Sequence, residues 1–161
     1  MRIIGFDPGY DRLGWAVIDT NNTPKPSPVA NGCILTDKKE SIAKRYLQII
    51  TELQEVVTAH QPTAAAIESL FFNTNQTTAL RVSECRGLIF AAILPSGCTV
   101  AEYTPLQIKQ AVTGYGRADK AAVSKMIQLQ LELKKLPKYD DTIDALAVAF
   151  THSLVYKQVT E

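Results

Sequence analysis

The order of the predicted elements is the feature of this sequence that most constrains its fold. Three strand patterns follow one another near the start, over residues 2–7, 14–20 and 30–36, and later strand patterns alternate with helical patterns. Strands joined by short turns pair antiparallel, whereas strands joined through a helix are parallel. The sequence therefore predicts an α/β fold with a mixed five-stranded sheet and helices on its faces, in a single domain over residues 1–161.

Apolar spacing and prolines mark the remaining elements. One amphipathic helix is predicted from Ser41 to His60 and another over residues 76–94, and Pro62 and Pro95 stop them. The Pro-rich stretch 21–28 is predicted to be an exposed loop. The other predicted elements are strands over 63–69 and 98–104 and helices over 105–112, over 120–133 and from about residue 140 onward.

Composition indicates a globular protein that neither crosses a membrane nor depends on disulfides. The 161 residues are 46% hydrophobic and 20% charged, which is sufficient for one substantial core. The longest apolar run, residues 88–94, is too short to span a bilayer, and the start lacks a secretory signal pattern. Three cysteines without a CxxC spacing indicate reduced thiols that pack in the interior. These features predict a cytoplasmic protein.

Charge is unevenly distributed, although the net charge is only +1. Residues 101–138 are rich in Lys and Arg, whereas residues 139–161 carry an excess of acids. A basic stretch beside an acidic cluster suits a metal-dependent enzyme that acts on a polyanion. The same pattern is common on solvated helix faces, so it supports such an enzyme only together with a site.

Three carboxylates stand at the head of the last predicted helix, in KYDDTIDALAVAF, residues 138–150. Asp140 is predicted to be the helix cap, because Asp is favoured there and the helix dipole stabilises it by about 0.3–1 kcal/mol. Asp144 lies a full turn further on, where capping does not explain it. Either Asp140 or Asp141 can share a side of the helix with Asp144, so spacing does not choose between them. Two carboxylates on this half-apolar face repel each other unless a cation lies between them.

Two further acids end predicted strands. Asp7 ends the first strand, and Glu68 ends the strand TAAAIE. Acids at such strand ends commonly face a site, and Mg²⁺ prefers oxygen ligands such as carboxylates. Four acids from two strand ends and one helix can converge on a pair of ions about 3.5–4 Å apart. The sequence therefore predicts a two-metal centre that activates water and cleaves a phosphodiester with a 3′-oxygen leaving group.

Other titratable residues give weaker signals. Asp11 and Asp19 lie in a predicted turn and at a strand end, and are predicted to be solvated. His60 and His152 are predicted to be peripheral or packed. No Cys–His or Ser–His pair has a suggestive spacing, which argues against covalent catalysis.

Five motifs occur in order along nearly the whole chain: IIGFDPG with Gly14 after it, AAIESLFFNTN, CRG at 85–87, QIKQAVTGYGRADK and DDTIDALAVAFTH. Together they resemble the RuvC family of Holliday junction resolvases, in the ribonuclease H-like superfamily. The resemblance implies a ribonuclease H-like fold with helices on both faces of the sheet. It also implies a structure-selective endodeoxyribonuclease that resolves four-way DNA junctions by paired symmetric nicks in recombination and repair. Mg²⁺ is the implied cofactor, with two ions per site and Mn²⁺ able to substitute.

The resemblance also assigns roles to individual residues. Carried over position by position, it implies that the catalytic metal ligands are Asp7, Glu68, Asp141 and Asp144. It thereby prefers Asp141 to Asp140.

Basic and aromatic residues receive DNA-binding roles by the same resemblance. Lys109 and Lys120 are implied to contact phosphates near the cleaved bond, and Arg117 of the glycine loop is implied to bind DNA. Phe71 is implied to stack on, or wedge between, opened bases at the junction. The structural alternatives are a packed or interface pair of Phe71 with Phe72, and a simple surface lysine at Lys120.

The implied partners are a four-way DNA junction, a second copy of the chain and branch-migration proteins, in the cytoplasm or another DNA-containing compartment. The second long helix is implied to contribute to the homodimer interface. The chain departs from the family pattern at Tyr10, Leu13 and Ser69. These departures spare the four acids and bear on sequence preference and junction affinity.

Three other functions fit parts of the sequence. A related ribonuclease H-like nuclease could act on another branched or hybrid substrate. An actin-like phosphotransfer or ATP-binding protein fits the hairpin DPGYDRLGWAV, but such proteins clamp a nucleotide between two such domains. A non-catalytic junction binder would gain nothing from four acids that face phosphates.

Overall fold

One sheet of five strands organises the fold. The computed structural model describes residues 1–20, 25–69 and 76–160, with side chains described up to residue 155 and not at 76–78. The strands are β1 (Arg2–Asp7), β2 (Arg12–Asp19), β3 (Ser27–Leu35), β4 (Ala64–Glu68) and β5 (Thr99–Tyr103). The helices are α1 (Ile42–His60), α2 (Gln76–Ile93), α3 (Pro105–Thr113), α4 (Lys120–Gln130) and α5 (Asp140–Thr160), with a 3₁₀ turn at Leu94–Ser96.

The strand order across the sheet is β3-β2-β1-β4-β5. The three strands joined by turns pair antiparallel, whereas β1 with β4 and β4 with β5 are parallel. The predicted mixed five-stranded sheet is thus confirmed. Because β1 and β4 are parallel neighbours, their carboxyl ends lie side by side.

Alternating side chains of the strands feed two hydrophobic cores. On one face, Ile3 of β1 packs with residues of α3, α4 and α5. On the other face, Ile4 and Phe6 pack with residues of α1 and α2. All three side chains are fully buried. Helices therefore cover both faces of the sheet, as the family resemblance implied.

Three helices begin where they were predicted to begin, and a capping side chain stands before each of them. Ser41 caps α1 by accepting a hydrogen bond from the Lys44 amide. Thr104 and Gln107 form a reciprocal capping box around Pro105 at the start of α3. Asp119 caps α4, so its first residue, Lys120, follows directly from the glycine loop.

The third strand differs from its prediction. It begins at Ser27 rather than at residue 30, so the end of the predicted loop 21–28 is strand. Pro28 lies within it, opposite Ile18, and the register shifts between Val17 and Ile18. Proline is tolerated here because β3 is an edge strand and the pairing is irregular. None of the described helices combines the length and apolarity needed to cross a membrane.

Candidate active site

The fold brings four acids together at the carboxyl ends of strands β1 and β4. Asp7 ends β1 and Glu68 ends the neighbouring parallel strand β4. Helix α5 crosses the face of β1 and β2 and carries Asp141 and Asp144 in its first two turns. The charges of Glu68, Asp141 and Asp144 all act on Asp7, so the structure brings the four predicted acids together.

Two glycines in the sheet allow α5 to approach this closely. A Cβ on Gly14 would lie 2.0 Å from the carbonyl oxygen of Asp141. A Cβ on Gly5 would lie 2.3 Å from the carbonyl oxygen of Ala145. Gly14 is the register partner of Asp7. The distance between Asp7 and the acids of α5 is therefore set by main-chain contact.

Asp7 is the acid whose proton affinity changes most. Burial, together with the charges of Asp144, Glu68 and Asp141, raises the pKa of Asp7 from 3.8 to about 8. The positive charge of Lys120 opposes this shift without cancelling it. Without an added cation, Asp7 is therefore largely protonated at neutral pH.

Burial also raises the pKa values of Glu68 and Asp144. At Asp144 this rise is limited by Lys120, whose Nζ lies 3.0 Å from Asp144 Oδ2. Burial lowers the pKa of Lys120, but Asp144 and Asp140 outweigh that effect and raise it overall. The ammonium group of Lys120 is the counter-ion of this side of the cluster.

Asp141 has a different counter-ion. Arg12 Nε lies 3.2 Å from Asp141 Oδ2, and the Arg12 side chain is 54% exposed. That oxygen is buried and accepts no hydrogen bond within the described part of the chain. The contact thus has the distance of an ion pair without the alignment of a hydrogen bond.

The prediction for Asp140 was wrong. The last helix begins at Asp140, which is therefore a first-turn residue and not the cap, and its carboxylate lies 3.5 Å from Lys120 Nζ. Asp11 is partly exposed, in agreement with its predicted solvation, and it also pairs with Lys38 at 3.0 Å and with the buried guanidinium of Arg45. Lys38 and Arg45 are distant from Asp11 in sequence, so spacing gave no signal for these contacts.

The predicted DNA-binding residues fall into three groups. Lys109 and Lys120 line a cavity of about 290 Å³ together with Glu68 and Asp144. Arg117 is exposed and lines a different surface depression, beside Tyr115 and Asp119. Phe71 lies outside the described residues. Among the predicted basic residues, the structure thus brings only the two lysines to the acids.

The histidine and cysteine predictions agree with the structure. His152 is buried, and its Nδ1 lies 2.8 Å from the hydroxyl oxygen of Tyr103. Cys85 and Cys98 are buried and Cys33 is partly buried, and all three are free thiols.

Arg86 of α2 is a site residue that the sequence reasoning missed. Its guanidinium donates a hydrogen bond to the main-chain oxygen of Glu68 and another, at 2.8 Å, to Glu102 Oε2. The same group lies over the ring of Phe90, at 5.9 Å from its centroid. Arg86 therefore holds the end of β4, where Glu68 projects. Its motif, CRG, was the only available signal, and it carried no role.

Replacing Arg86 by glutamine is expected to lower the cleavage rate by roughly 10–100-fold, the usual cost of losing a partner that orients a metal ligand. The cause would be a loosened Glu68, so the Mn²⁺ concentration for half-maximal activity should rise as well. Arg86→Lys should recover part of the loss. The matched control is Glu102→Gln, which keeps the bond from Arg86 to Glu68. An equal loss in that control would assign the effect to the ion pair with Glu102.

The donor set fits a hard divalent cation. All four acids offer oxygen ligands, and a buried oxygen of Asp141 accepts no hydrogen bond from the described residues. Ionisation of Asp7 is unfavourable in this buried, acidic setting, and a bound cation would remove that cost. In their present positions, no group of three or more His, Cys, Asp or Glu side chains among the described residues forms a ready-made metal site. Lys120 and Arg12 hold the outer acids instead.

The strand order, the helices on both faces and the acids at adjacent strand ends define the class of this protein as a ribonuclease H-like nuclease. The family model "Crossover junction endodeoxyribonuclease RuvC" matches residues 3–152. The chain therefore belongs to the RuvC family. Membership in this family implies dependence on a divalent metal ion.

Individual relatives are similar over nearly their full length. The crossover junction endodeoxyribonuclease RuvC of Caldicellulosiruptor saccharolyticus is 42% identical over 96% of this chain and 93% of its own. That of Thermosipho melanesiensis is 45% identical over 93% of this chain and 95% of its own. The structure of Thermus thermophilus RuvC in complex with a Holliday junction substrate superposes with a TM-score of 0.93 and 32% identity, over 99% of this chain and 97% of that one.

Proposed function

We propose that this protein is a structure-selective endonuclease that resolves four-way DNA junctions by paired nicks, in recombination and repair. The observation that carries the proposal is the cluster of four acids in a chain that superposes, over 99% of its length, on a RuvC bound to a Holliday junction. We propose residues 1–161 as a single nuclease domain. Branch-migration proteins remain proposed partners through the family.

We propose Mg²⁺ as the cofactor, with two ions per site and Mn²⁺ able to replace it. The residues that would hold the ions are Asp7, Glu68, Asp141 and Asp144. When bound, such ions supply Lewis-acid activation of an attacking water and positive charge for the leaving 3′-oxygen. The pKa of about 8 at Asp7 means that filling the site and losing the Asp7 proton are linked, so metal affinity should rise with pH up to about 8.

The chain's own cations would position the substrate. Lys109 and Lys120 line the cavity that opens on Glu68 and Asp144, where a phosphate would meet both ammonium groups. Lys120 contacts Asp144 and Asp140. A cation held by Asp144 would relieve Lys120 of that charge and leave it available to the phosphate. Arg117 is proposed to bind DNA, and Phe71 is proposed to stack on, or wedge between, opened bases at the junction.

We propose a homodimer built on α2. The outward side of α2 and of the 3₁₀ turn that follows it bears Leu80 and Leu94, which are 67% and 57% exposed, with exposed Gly87 and Ala91 between them. A stripe of two large apolar residues separated by two small ones suits close packing against a second helix. A two-fold axis at this stripe would present two sites to a junction that is itself nearly two-fold symmetric.

Leu80→Glu is therefore expected to convert a dimer into a monomer, because it places a charge in the proposed apolar contact. Light scattering coupled to size-exclusion chromatography measures the mass. On a cruciform plasmid, the variant should yield nicked circles where the dimer yields linear product. Leu129→Glu, at an exposed leucine of α4, is the matched control and should remain dimeric. A variant at Leu80 that stays dimeric would exclude α2 as the interface.

The function is tested by offering the purified protein a synthetic four-way junction, a duplex of matching sequence and an RNA–DNA hybrid, each with and without Mg²⁺. Symmetric cuts restricted to the junction, dependent on metal and lost in Asp7→Asn while junction binding persists, are the expected result. Equal cutting of the duplex, or cutting without metal, would contradict the proposal. Preferred cutting of the hybrid would identify a different nuclease of the same fold.

A further inference from the structure

A second cavity opens against the acid cluster and has no role in the function proposed above. It measures about 570 Å³ and shares no lining residue with the cavity of Lys109 and Lys120. We call it the Arg12 groove. Its lining includes Tyr10, Arg12, Thr36, Lys38, Val82 and Asp141. Because Asp141 forms part of its wall, the groove leads directly to the acids.

Two cations present their charged ends in this groove. The side chains of Lys38 and Arg12 are 76% and 54% exposed. Beneath them, the buried guanidinium of Arg45 bonds to Thr36 Oγ1 at 2.9 Å and to the Tyr10 carbonyl at 2.8 Å. The wall is therefore held in place by a buried arginine. The two cations are exposed, and each pairs with an acid that lines the groove: Lys38 with Asp11 at 3.0 Å and Arg12 with Asp141 at 3.2 Å.

The ion pair between Asp141 and Arg12 is weak. Their ion pair, 3.2 Å long, is half exposed on the arginine side and lacks hydrogen-bond alignment, because Asp141 Oδ2 accepts no hydrogen bond from the described residues. Half-exposed ion pairs of this kind contribute little to stability. The pair of Lys120 with Asp144 is similar: Asp141 and Asp144 each form an ion pair with a cation that is not one of the four acids' own neighbours in sequence.

We infer that Arg12 is a substrate-binding residue, and that the Arg12 groove takes the phosphate backbone of the DNA strand next to the cleaved bond. A guanidinium binds a phosphate through two parallel hydrogen bonds, a stronger arrangement than its unaligned contact with Asp141. Arg12 is the first residue of β2, and only a short turn separates it from Asp7, the last residue of β1. A phosphate on Arg12 is therefore adjacent to the site.

This inference rests on the proposed function, and it predicts a coupling. A divalent ion held by the acids would neutralise Asp141 and leave Arg12 to the DNA, so metal and DNA should reinforce each other's binding. Arg12 and the metal ion compete for Asp141, so removing Arg12 should leave metal affinity unchanged or higher. A residue that merely positioned Asp141 would have the opposite effect.

The test compares the wild type with Arg12→Gln, Arg12→Lys and the control Lys25→Gln, which removes an exposed, ion-paired lysine elsewhere. Junction affinity is measured with Ca²⁺ at several salt concentrations, and Mn²⁺ affinity is measured by calorimetry without DNA. For Arg12→Gln we expect about tenfold weaker junction binding and a salt dependence shallower by about 0.9, the loss of one phosphate contact. Arg12→Lys should keep the wild-type slope. With EDTA in place of Ca²⁺, the wild type and Arg12→Gln should differ less.

The possible failures are distinguishable. Unchanged affinity and slope in Arg12→Gln, with a wild type that binds and cuts junctions, would overturn the inference alone. Loss of Mn²⁺ affinity in Arg12→Gln would also overturn it, because Arg12 would then serve Asp141. A wild type that binds no junction would overturn the proposed function and the inference with it.

Discussion

Asp7→Asn is expected to abolish cleavage and, without metal, to raise the midpoint of thermal unfolding. Cleavage should fall by about 10³-fold, because a central oxygen ligand and its charge are lost. The unfolding midpoint should rise by about 5–10 °C at pH 8, because the uncharged amide removes the cost of burying a carboxylate and its repulsion by the other acids, together about a few kcal/mol. Calorimetry in EDTA measures the second effect.

The stabilisation should depend on pH with a definite sign. The pKa of Asp7 is about 8 in the folded protein and near 3.8 when unfolded, so the folded state binds the extra proton between these values. Ionisation of Asp7 therefore makes the wild type progressively less stable as pH rises from about 4 to about 8, and Asp7→Asn lacks this contribution. The gap between the two should grow over this range and then level off.

The control for this experiment is Asp140→Asn. Asp140 is more exposed, with 67% of its side chain accessible, so Asp140→Asn should change the unfolding midpoint far less than Asp7→Asn. If the wild type and Asp7→Asn had equal unfolding midpoints at every pH, the Asp7 carboxylate would not be destabilised by burial and neighbouring charges. Saturating Mg²⁺ should reverse the order and make the wild type the more stable protein.

Gly14→Ala is expected to cause the second large effect, through main-chain geometry rather than charge. The new Cβ would stand 2.0 Å from the Asp141 carbonyl oxygen, so α5 must shift by more than 1 Å. A displacement of this size at reacting groups costs about 10²-fold in rate, and the strained contact should also lower stability by roughly 1–3 kcal/mol. Junction cleavage and urea unfolding measure the two losses.

Ser27→Thr is the matched control for Gly14→Ala. It also adds one methyl group to a strand of the same sheet, but at an exposed position. Its activity and unfolding free energy should equal those of the wild type. Wild-type activity in Gly14→Ala would show that α5 tolerates displacement and that main-chain contact does not set the site.

The parts of the fold that follow from local patterns could be predicted. Strand and helix periodicity, with turns or helices between strands, was sufficient for the mixed sheet, and Pro105 and Pro95 marked helix ends. The start of β3 could not be predicted, because Pro28 and its neighbours look like a loop unless the strand is known to be at an edge. The residue at which β3 begins depends on the place of this strand in the sheet, which the local sequence does not reveal.

The acids of the candidate site could be identified because each stands where a local pattern makes an acid costly, at a strand end or inside a helix. Two arginines beside them could not be identified: Arg12, which pairs with Asp141, and Arg86, which bonds to the main-chain oxygen of Glu68. Each is distant in sequence from its partner, and long flexible side chains find partners only after the sheet has formed. Even the distinction between Asp140 and Asp141 came from the family resemblance and not from spacing.

The edge strand β3 has a consequence for how these molecules can associate. An open strand edge is a template on which another chain can add a strand, and uncontrolled addition leads to aggregation. Pro28 lacks an amide hydrogen to donate, and the adjacent register shift twists the edge away from a flat template. This stretch of β3 therefore resists being extended by a strand from a neighbouring copy, even when several copies gather on one DNA molecule.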